Sequence, residues 1–330
     1  MTSLVWRIGL QAGNCVAVVG AGGKTTLCWA LVQDLQQQGL RTIFTTTTKI
    51  WEPQINAFDL MLTHSDRRDT LRTLASTGWR KACVMGAIVG VPSTQPITGV
   101  FMPVIATKRM GLGPEEVCAL HAALPDITLI VEADGARGLR LKVPGDEEPV
   151  IPVCADIVCV VANLDVIGQP LGEQNVHRAD RFAALTGLAL GDVITSGAVA
   201  MALAHPTGGL KSIPPNARTI AVLTQHRASV AHPAAHDLAQ MLLHRSAAPL
   251  YFACYGALQG SEAIVHFALA ARRTWKMILT ARPCCRPRTL SEVQIFLTRR
   301  SLAWLCSAVP PGFCSARRMA FTGTRPPPGF

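Results

Sequence analysis

Short apolar runs alternate with mixed segments along most of the chain. The first run, residues 15–19, leads through a glycine-rich turn into residues 25–38, where leucines recur at every fourth position. An apolar run of this length predicts a strand, and leucines four apart predict a helix. A second strand is predicted over residues 41–46. The succession of strand, helix and strand is typical of a βαβ unit, whose strands are parallel.

Later segments repeat this succession. The run at residues 127–131 is apolar on both faces, which is typical of a central strand in a parallel sheet. Further helices are predicted over residues 66–74, 114–123 and 237–244, and further strands over residues 82–91, 155–162, 217–223 and 249–255.

The turn between the first strand and the first helix carries the strongest chemical signal. Glycines there let the backbone aim its N–H groups at an anion, and the positive end of the following helix faces the same point. We expect the turn to bind nucleotide phosphates, with its lysine on the outer ones and Thr25 on Mg²⁺. An ordinary glycine turn is the alternative. The turn is a shortened form of the Walker A loop and reads Gly20-Ala21-Gly22-Gly23-Lys24-Thr25-Thr26.

These patterns together predict the fold class. We expect an α/β protein with a P-loop NTPase-like, three-layer fold around a mostly parallel central sheet. Such a fold implies Mg²⁺ as cofactor and ATP or GTP as substrate or ligand.

Polar residues follow the ends of two predicted strands, where ligands of open α/β sheets collect. Thr47 and Lys49 follow the second strand and are expected to contact the nucleotide. Glu132 and Asp134 follow the strand at residues 127–131. Asp134 would hold Mg²⁺ together with Thr25, and Glu132 would orient the attacking water or substrate, so both are candidate catalytic residues with the loop lysine. The structural alternatives are that the threonines only favour a strand and that Asp134-Gly135 only forms the turn that ends a strand.

Several cations and a histidine follow these carboxylates. Cations beside a metal–phosphate site can bind a second anion or the transferring phosphoryl group, and a solvated loop is the alternative. The candidate substrate-binding residues are Arg137, Arg140, Lys142, His177 and Arg178.

The positive charge of the chain lies near its end. The formal net charge is +10, and residues 272–330 hold ten Arg, one Lys and one acid, so residues 1–271 are neutral. A neutral body gives no reason to expect nucleic acid as a partner. We predict a P-loop nucleotide-binding domain over residues 1–271. The basic tail, residues 272–330, is expected to be poorly ordered or an out-of-frame extension, with a basic interaction tail as the alternative.

The cysteines and the hydropathy of the chain indicate the cellular compartment in which we expect the protein. Eleven cysteines are scattered without a C-x-x-C pair, which is typical of buried thiols in a reducing compartment. The first ten residues lack the regions of a secretion signal. The most apolar long run, residues 183–204, is interrupted by Asp192, so we expect a buried helix or strand there rather than a membrane span. The sequence predicts a cytoplasmic protein without a membrane partner.

Five motifs in register lie at residues 19–26, 45–49, 131–135, 148–152 and 176–178. Their order and spacing resemble those of the YqeC-type accessory proteins, a family linked to selenium-dependent molybdenum hydroxylases. The resemblance covers residues 4–260. It implies a P-loop α/β fold, nucleotide binding and a role in maturing the selenium-containing cofactor of those hydroxylases. The partners it implies are a selenium or molybdopterin intermediate and a hydroxylase client.

The function expected from residues and resemblance together is an NTP-binding accessory protein that hydrolyses ATP or GTP or transfers a phosphoryl group. A nucleotide-gated chaperone or insertion factor for the hydroxylase is one alternative. An ATP-dependent ligase is another, because the shortened loop also resembles that of the Mur peptide ligases. Family members tend to carry an Asn-containing segment with a following Asp after a late strand, whereas this chain has Thr224-Gln225, so the choice between ATP and GTP stays open.

Overall fold

The computed structural model describes residues 4–51, 58–76, 78–89, 93–97, 100–106, 108–225, 233–245, 250–256, 266–271 and 274–276. The helices are α1 (Leu4–Arg7), α2 (Lys24–Gln37), α3 (Arg67–Leu74), α4 (Pro114–Ala123), α5 (Ala179–Thr186), α6 (Ser196–Ala204) and α7 (Ala235–Arg245). The strands are β1 (Cys15–Gly20), β2 (Thr42–Thr46), β3 (Ile50–Trp51), β4 (Leu60–Thr63), β5 (Lys81–Met85), β6 (Ser93–Ile97), β7 (Val100–Ala106), β8 (Lys108–Arg109), β9 (Thr128–Glu132), β10 (Leu141–Lys142), β11 (Ile157–Asn163), β12 (Val176–His177), β13 (Arg218–Thr224), β14 (Leu250–Gly256), β15 (His266–Ala271) and β16 (Thr274–Lys276).

The chain divides into two compact units, Met1–Arg286 and Pro287–Phe330. The second unit lies outside the described residues, as does most of the tail predicted from residue 272 onward. Three residues of that tail form β16, which pairs with β15. The predicted domain boundary at residue 271 stays a prediction.

One ten-stranded sheet organises the first unit, in the order β16-β15-β14-β13-β11-β1-β9-β2-β5-β4. Every pairing from β4 to β14 is parallel, and only the last two pairings, β14 with β15 and β15 with β16, are antiparallel. The predicted α/β class with a mostly parallel sheet is therefore confirmed.

Side chains of β1 alternate between the two faces of the sheet and so define three layers. Val16 and Val18 belong to the hydrophobic cluster that contains α2, whereas Ala17 and Val19 belong to the cluster that contains α4 and α6. Such alternation follows from the period of two in a strand. The predicted three-layer arrangement is confirmed.

Helix α2 packs on the sheet through its leucines. Leu27, Leu31 and Leu35 have no exposed surface, as expected for apolar residues four apart on one helical face. Each buried leucine stabilises the fold by about 2 kcal/mol relative to an exposed one. This packing fixes the start of α2 against the end of β1.

Chain connections leave β1 and β11 in opposite directions. Helix α2 leads from β1 toward β2 on one side, whereas the chain after β11 leads to β13 on the other side. The carboxyl ends of β1 and β11 therefore form a topological switch point, the place where ligands of open α/β sheets commonly bind.

Among the helices that the structure describes, none has the length and apolar character needed to cross a bilayer.

Candidate functional site

The glycine-rich turn between β1 and α2 packs tightly against β11. Gly20, Gly22 and Gly23 have φ values of 94°, 76° and 131°, a region that residues with a Cβ rarely adopt. A Cβ on Gly20 would overlap the carbonyl oxygen of Val161, and one on Gly22 would overlap the side chain of Asn163. Both conformation and space therefore require glycine at these two positions.

Helix α2 begins immediately after this turn. Its N-cap is Gly23, which has no side chain with which to accept a hydrogen bond from the N–H groups of the first turn. These N–H groups point out of the helix end and carry the positive end of its dipole. Since α2 is a long helix that starts at the switch point of the sheet, its first turn is suited to an anion.

Lys24 lies at the start of α2 with only 6% of its surface exposed. Its Nζ donates to the carbonyl oxygen of Gly20 over 2.9 Å and lies 4.0 Å from Oε1 of Glu132. Burial lowers the pKa of Lys24, and the carboxylates of Glu132 and Asp134 act in the opposite direction. The ammonium is thus folded back onto the turn, beside two acids.

Glu132 ends β9, whose register with β1 places it beside Val18. Its Oε2 accepts the hydroxyl of Thr25 over 2.9 Å. Burial raises the pKa of Glu132, whereas Lys24 and the Thr25 hydroxyl hold it down. Of the two acids predicted near the magnesium ion, Glu132 is the one that contacts Thr25.

Asp134 has different partners. The backbone N–H of Gly20 donates to its Oδ2 over 3.1 Å, and the ammonium of Lys142 donates to its Oδ1. Lys142 also donates to the carbonyl oxygen of Gly135 over 2.6 Å and to Oε2 of Glu148 over 2.7 Å. Burial raises the pKa of Asp134, and Lys142 opposes that effect. Asp134 therefore anchors the glycine turn through Gly20.

Arg178 completes this ion network. Its Nη1 donates to Oε2 of Glu148 over 2.7 Å and to the carbonyl oxygen of Val143 over 3.3 Å. Burial would raise the pKa of Glu148, but the hydrogen bonds from Arg178 and Lys142 hold it at about 2. The neighbouring His177 is buried, and burial, followed by the charges of Arg178 and Lys142, lowers its pKa.

Threonines at the end of β2 make structural hydrogen bonds. The hydroxyl of Thr45 donates to the carbonyl oxygen of Val84, and that of Thr46 donates to the carbonyl oxygen of Glu132, both over 2.7 Å. Thr47, predicted to contact the nucleotide, donates its hydroxyl to the carbonyl oxygen of Val150 over 2.7 Å.

A cleft of about 1350 Å³ opens over the start of α2. The predicted site residues that line it are Gly22, Gly23, Lys24, Thr25, Thr26, Lys49, Glu132, Asp134, Arg137, His177 and Arg178. Five predicted residues do not line the cleft: Gly20, Ala21, Thr47, Arg140 and Lys142. The structure thus places most of the predicted residues around one cleft. Lys142 does not line the cleft, but its ammonium binds Asp134 and Glu148, which do.

Within the described part of the chain, no three His, Cys, Asp or Glu side chains converge on a point suited to a metal ion. A magnesium ion bound with a nucleotide takes only one or two protein carboxylates and completes its shell with phosphate oxygens and water. The Thr25 hydroxyl and the Glu132 carboxylate fit such a partial shell, because both are oxygen ligands on the cleft wall.

The model of the YqeC protein family matches residues 16–180. The chain belongs to the YqeC family. Among known YqeC proteins, "Uncharacterized protein YqeC" of Escherichia coli (strain K12) is 31% identical over 224 residues, which cover 66% of this chain and 79% of that protein. No solved structure matches the chain.

The YqeC match runs from the second residue of β1 into the first turn of α5. All the predicted site residues, from Gly20 to Arg178, therefore lie inside the part of the chain that defines the family.

Sequence reasoning missed three residues of this YqeC site. Glu148 begins the motif at residues 148–152 but was not among the predicted site residues, and it is the acid that joins Lys142 to Arg178. Thr224, at the end of β13, donates its hydroxyl to the carbonyl oxygen of Gly22. Trp29 lines the cleft one helical turn after Thr25, and this i, i+4 spacing on α2 is the signal that could have revealed it.

Proposed function

We propose that this YqeC-family protein binds Mg-ATP or Mg-GTP in the cleft and hydrolyses it or transfers its phosphoryl group. The observation that carries the proposal is the meeting of Lys24, Thr25 and Glu132 at the start of α2, at the switch point of a parallel sheet. A lysine, a hydroxyl and a carboxylate in that position are the groups that phosphoryl transfer requires.

Each group has a distinct role in this proposal. The N–H groups at the start of α2 would bind the inner phosphate oxygens. Lys24 would leave the carbonyl oxygen of Gly20 and bind the outer phosphates, so its present hydrogen bond keeps the buried ammonium satisfied until nucleotide arrives. Thr25 would bind Mg²⁺ through its hydroxyl, with Glu132 beside it and Asp134 close by on the same wall.

The size of the cleft supports a second substrate. Ligand pockets commonly measure about 300 to 1000 Å³, and this cleft, at about 1350 Å³, exceeds what one nucleotide fills. Arg137, His177 and Arg178 lie on its wall and are suited to an anion. We propose an anionic selenium or molybdopterin intermediate as that substrate, within maturation of the selenium-containing cofactor of molybdenum hydroxylases, as resemblance to the accessory family implies.

A nucleotide-gated chaperone for the hydroxylase is the second candidate. Strand β3 pairs with β8, which brings Lys49 and Lys108 to the same cleft from two separate segments of the chain. Loops that contact a γ-phosphate can change order on hydrolysis and so bind or release a client. An ATP-dependent ligase of the Mur type stays a further alternative, and it would form ADP only with a carboxylate and an amine present.

Calorimetry on the full chain tests nucleotide binding. Mg-ATP and Mg-GTP are titrated into the wild type and into Lys24→Ala, with Arg72→Ala on the exposed face of α3 as the matched control. We expect Lys24→Ala to lose at least about tenfold in affinity, since a charged hydrogen bond contributes about 1.5 to 3 kcal/mol, and Arg72→Ala to bind as the wild type does. Equal affinity of Lys24→Ala and wild type would refute the proposal.

Product identification separates the candidate reactions. The protein is incubated with nucleotide alone, with selenophosphate or molybdopterin species, and with the hydroxylase. A phosphorylated or selenylated small molecule favours the transferase. Turnover accelerated only by the hydroxylase favours the chaperone.

A further inference from the structure

A second group of reactive side chains lies at the opposite end of the sheet from the cleft. It consists of Cys15 at the start of β1, Cys118 and His121 on α4, and Cys154 in the segment before β11. The cleft lies at the carboxyl ends of the parallel strands, whereas these residues lie at the amino ends. Nothing in the proposed nucleotide chemistry uses them.

Helix α4 holds two of the four residues on one face. Cys118 and His121 are three positions apart, so their side chains lie beside each other. The imidazole Nε2 lies 2.7 Å from the carbonyl oxygen of Gly13 and 3.9 Å from Oδ2 of Asp156. These contacts fix the histidine between the start of β1 and the segment before β11.

The sulfur of Cys154 lies at the centre of the cluster. It is hydrogen-bonded by the thiol of Cys15, the imidazole of His121 and the thiol of Cys118. The backbone N–H of Cys154 also donates to the sulfur of Cys118. Two cysteines more than thirty residues apart in sequence are therefore in direct contact through both side chain and backbone.

The cluster favours the thiolate form of Cys154. The thiol of Cys15, ahead of His121 and Cys118, lowers the pKa of Cys154 to about 4 although burial opposes the change. The hydrogen bond to Cys154 raises the pKa of His121, which favours the imidazolium. Burial raises the pKa of Cys118 to about 11, so Cys118 stays a thiol. A thiolate beside an imidazolium is a reactive nucleophile. After its oxidation, a neighbouring thiol can form a disulfide with it.

The exposure of the two neighbouring cysteines indicates that Cys118, rather than Cys15, is the one that can form a disulfide with Cys154. Cys15 has no exposed surface and belongs to the central strand of the sheet, whereas Cys118 and Cys154 are only partly buried. Val153, next to Cys154, is 83% exposed, so this segment reaches the surface. A disulfide to Cys118 requires movement at the surface, and one to Cys15 would require movement of β1.

We propose that Cys154 and Cys118 form a thiol–disulfide redox site whose oxidant is a small hydroperoxide. The Cys154 thiolate attacks the terminal oxygen of the hydroperoxide, so that an S–O bond forms and the O–O bond breaks. The departing alkoxide, or hydroxide from hydrogen peroxide, takes a proton from His121. The Cys118 thiol then attacks the sulfenic sulfur, the S–S bond forms and water leaves. Two thiols are oxidised to a disulfide, and one hydroperoxide is reduced to an alcohol or water.

Peptide mapping of the full chain tests the site. The reduced protein receives one equivalent of hydrogen peroxide, and each cysteine is assigned by mass spectrometry. We expect a disulfide between Cys118 and Cys154, while Cys159, which is fully buried on β11, stays reduced as the internal control. Cys118→Ser should accumulate a sulfenic acid on Cys154 that dimedone traps, and Cys154→Ser should show neither product. An unmodified Cys154, or a disulfide between Cys15 and Cys154, would overturn the proposal.

The pH profile of alkylation tests the thiolate directly. An ordinary thiol slows about 200-fold between pH 8 and pH 5.5, because its thiolate fraction falls. We expect the rate for Cys154 with iodoacetamide to change by less than about twofold over that range. His121 is a positioning residue here, so His121→Gln should move the profile to higher pH. A wild-type profile that falls like that of the unfolded chain would overturn the assignment of Cys154 as the nucleophile.

Discussion

The hydroxyl of Thr25 donates to Oε2 of Glu132 over 2.9 Å and joins the first turn of α2 to the end of β9. These residues are 107 positions apart in sequence. The contact holds a hydroxyl and a carboxylate at the distance at which one metal ion can accept both. In the proposed nucleotide complex, the Thr25 hydroxyl and the Glu132 carboxylate would hold Mg²⁺, which would neutralise charge on the phosphates.

Loss of the Thr25 hydroxyl should weaken the contribution of magnesium to nucleotide binding. Thr25→Ala is expected to reduce the affinity for Mg-ATP or Mg-GTP by on the order of tenfold, with little change in magnesium-free buffer, because in the proposed complex the hydroxyl would contact the metal rather than the phosphates. Calorimetry in both buffers measures the effect. Thr73→Ala, on α3 away from the cleft, is the control. An equal loss in both buffers would mean that Thr25 does not act through magnesium.

Gly22 should tolerate a methyl group far less well than Gly138. Both have a φ of 76°, so alanine costs about 1 to 2 kcal/mol of backbone strain at either position. A Cβ on Gly22 would also lie 2.6 Å from the carbonyl oxygen of Arg140, whereas one on Gly138 meets no described atom within 4 Å. Urea unfolding should show Gly22→Ala to be less stable than Gly138→Ala by roughly 1 to 3 kcal/mol. Equal stabilities would contradict the tight packing of the turn.

The ion network around Glu148 should make stability depend on acid pH. The pKa of Glu148 is about 2 in the folded protein, against an ordinary value of 4.5, because Arg178 and Lys142 outweigh the effect of burial. A depressed pKa in the folded state stabilises the fold above pH 4.5, and this stabilisation is lost as the pH falls toward 2. The wild type should therefore exceed Glu148→Gln in stability at pH 6, and the difference should shrink between pH 4.5 and pH 2.

Urea unfolding at a series of pH values checks this dependence. Glu147→Gln is the matched control, since Glu147 is the exposed neighbour of Glu148. A difference between wild type and Glu148→Gln that is the same at every pH would show that the carboxylate does not carry the network.

The hydroxyl of Thr45 should matter for stability rather than for nucleotide binding. It is fully buried and donates to the carbonyl oxygen of Val84, which ties β2 to β5. Thr45→Val keeps the shape but leaves that carbonyl without this donor, so we expect a loss of about 1 to 3 kcal/mol in the free energy of unfolding. Nucleotide affinity should not change. A variant as stable as the wild type would show that the hydrogen bond contributes nothing net.

Local patterns predicted several elements of this fold closely, although the strand predicted over residues 82–91 corresponds to β5, which ends at Met85. The helix predicted over residues 114–123 coincides with α4, and the one predicted over residues 25–38 differs from α2 by one residue at each end. Both signals, leucine spacing and a proline followed by acids, act within a few residues of each other. The hairpin of β6 and β7 was not predicted, because its prolines and neighbouring glycines are typical of loops.

Pairings between distant residues could not be predicted in the same way. Glu132 and Asp134 follow the same strand, and only the register of β9 with β1 decides which of them contacts Thr25. Lys142 looked like a substrate-binding cation, but it is 6% exposed and binds Asp134 and Glu148. The cysteines that meet at Cys154 come from three separate segments, and their spacing in sequence carries no signal of contact.

Strand β1 also fixes the distance between the thiol cluster and the cleft. Its six residues span about 20 Å, with Cys15 of the thiol cluster at one end and Gly20 of the phosphate-binding turn at the other. A dye attached to Cys154 and a fluorescent nucleotide in the cleft would therefore lie well within the range of resonance energy transfer. Binding and release of the proposed nucleotide could then be followed in real time, with a cysteine that the chain already possesses.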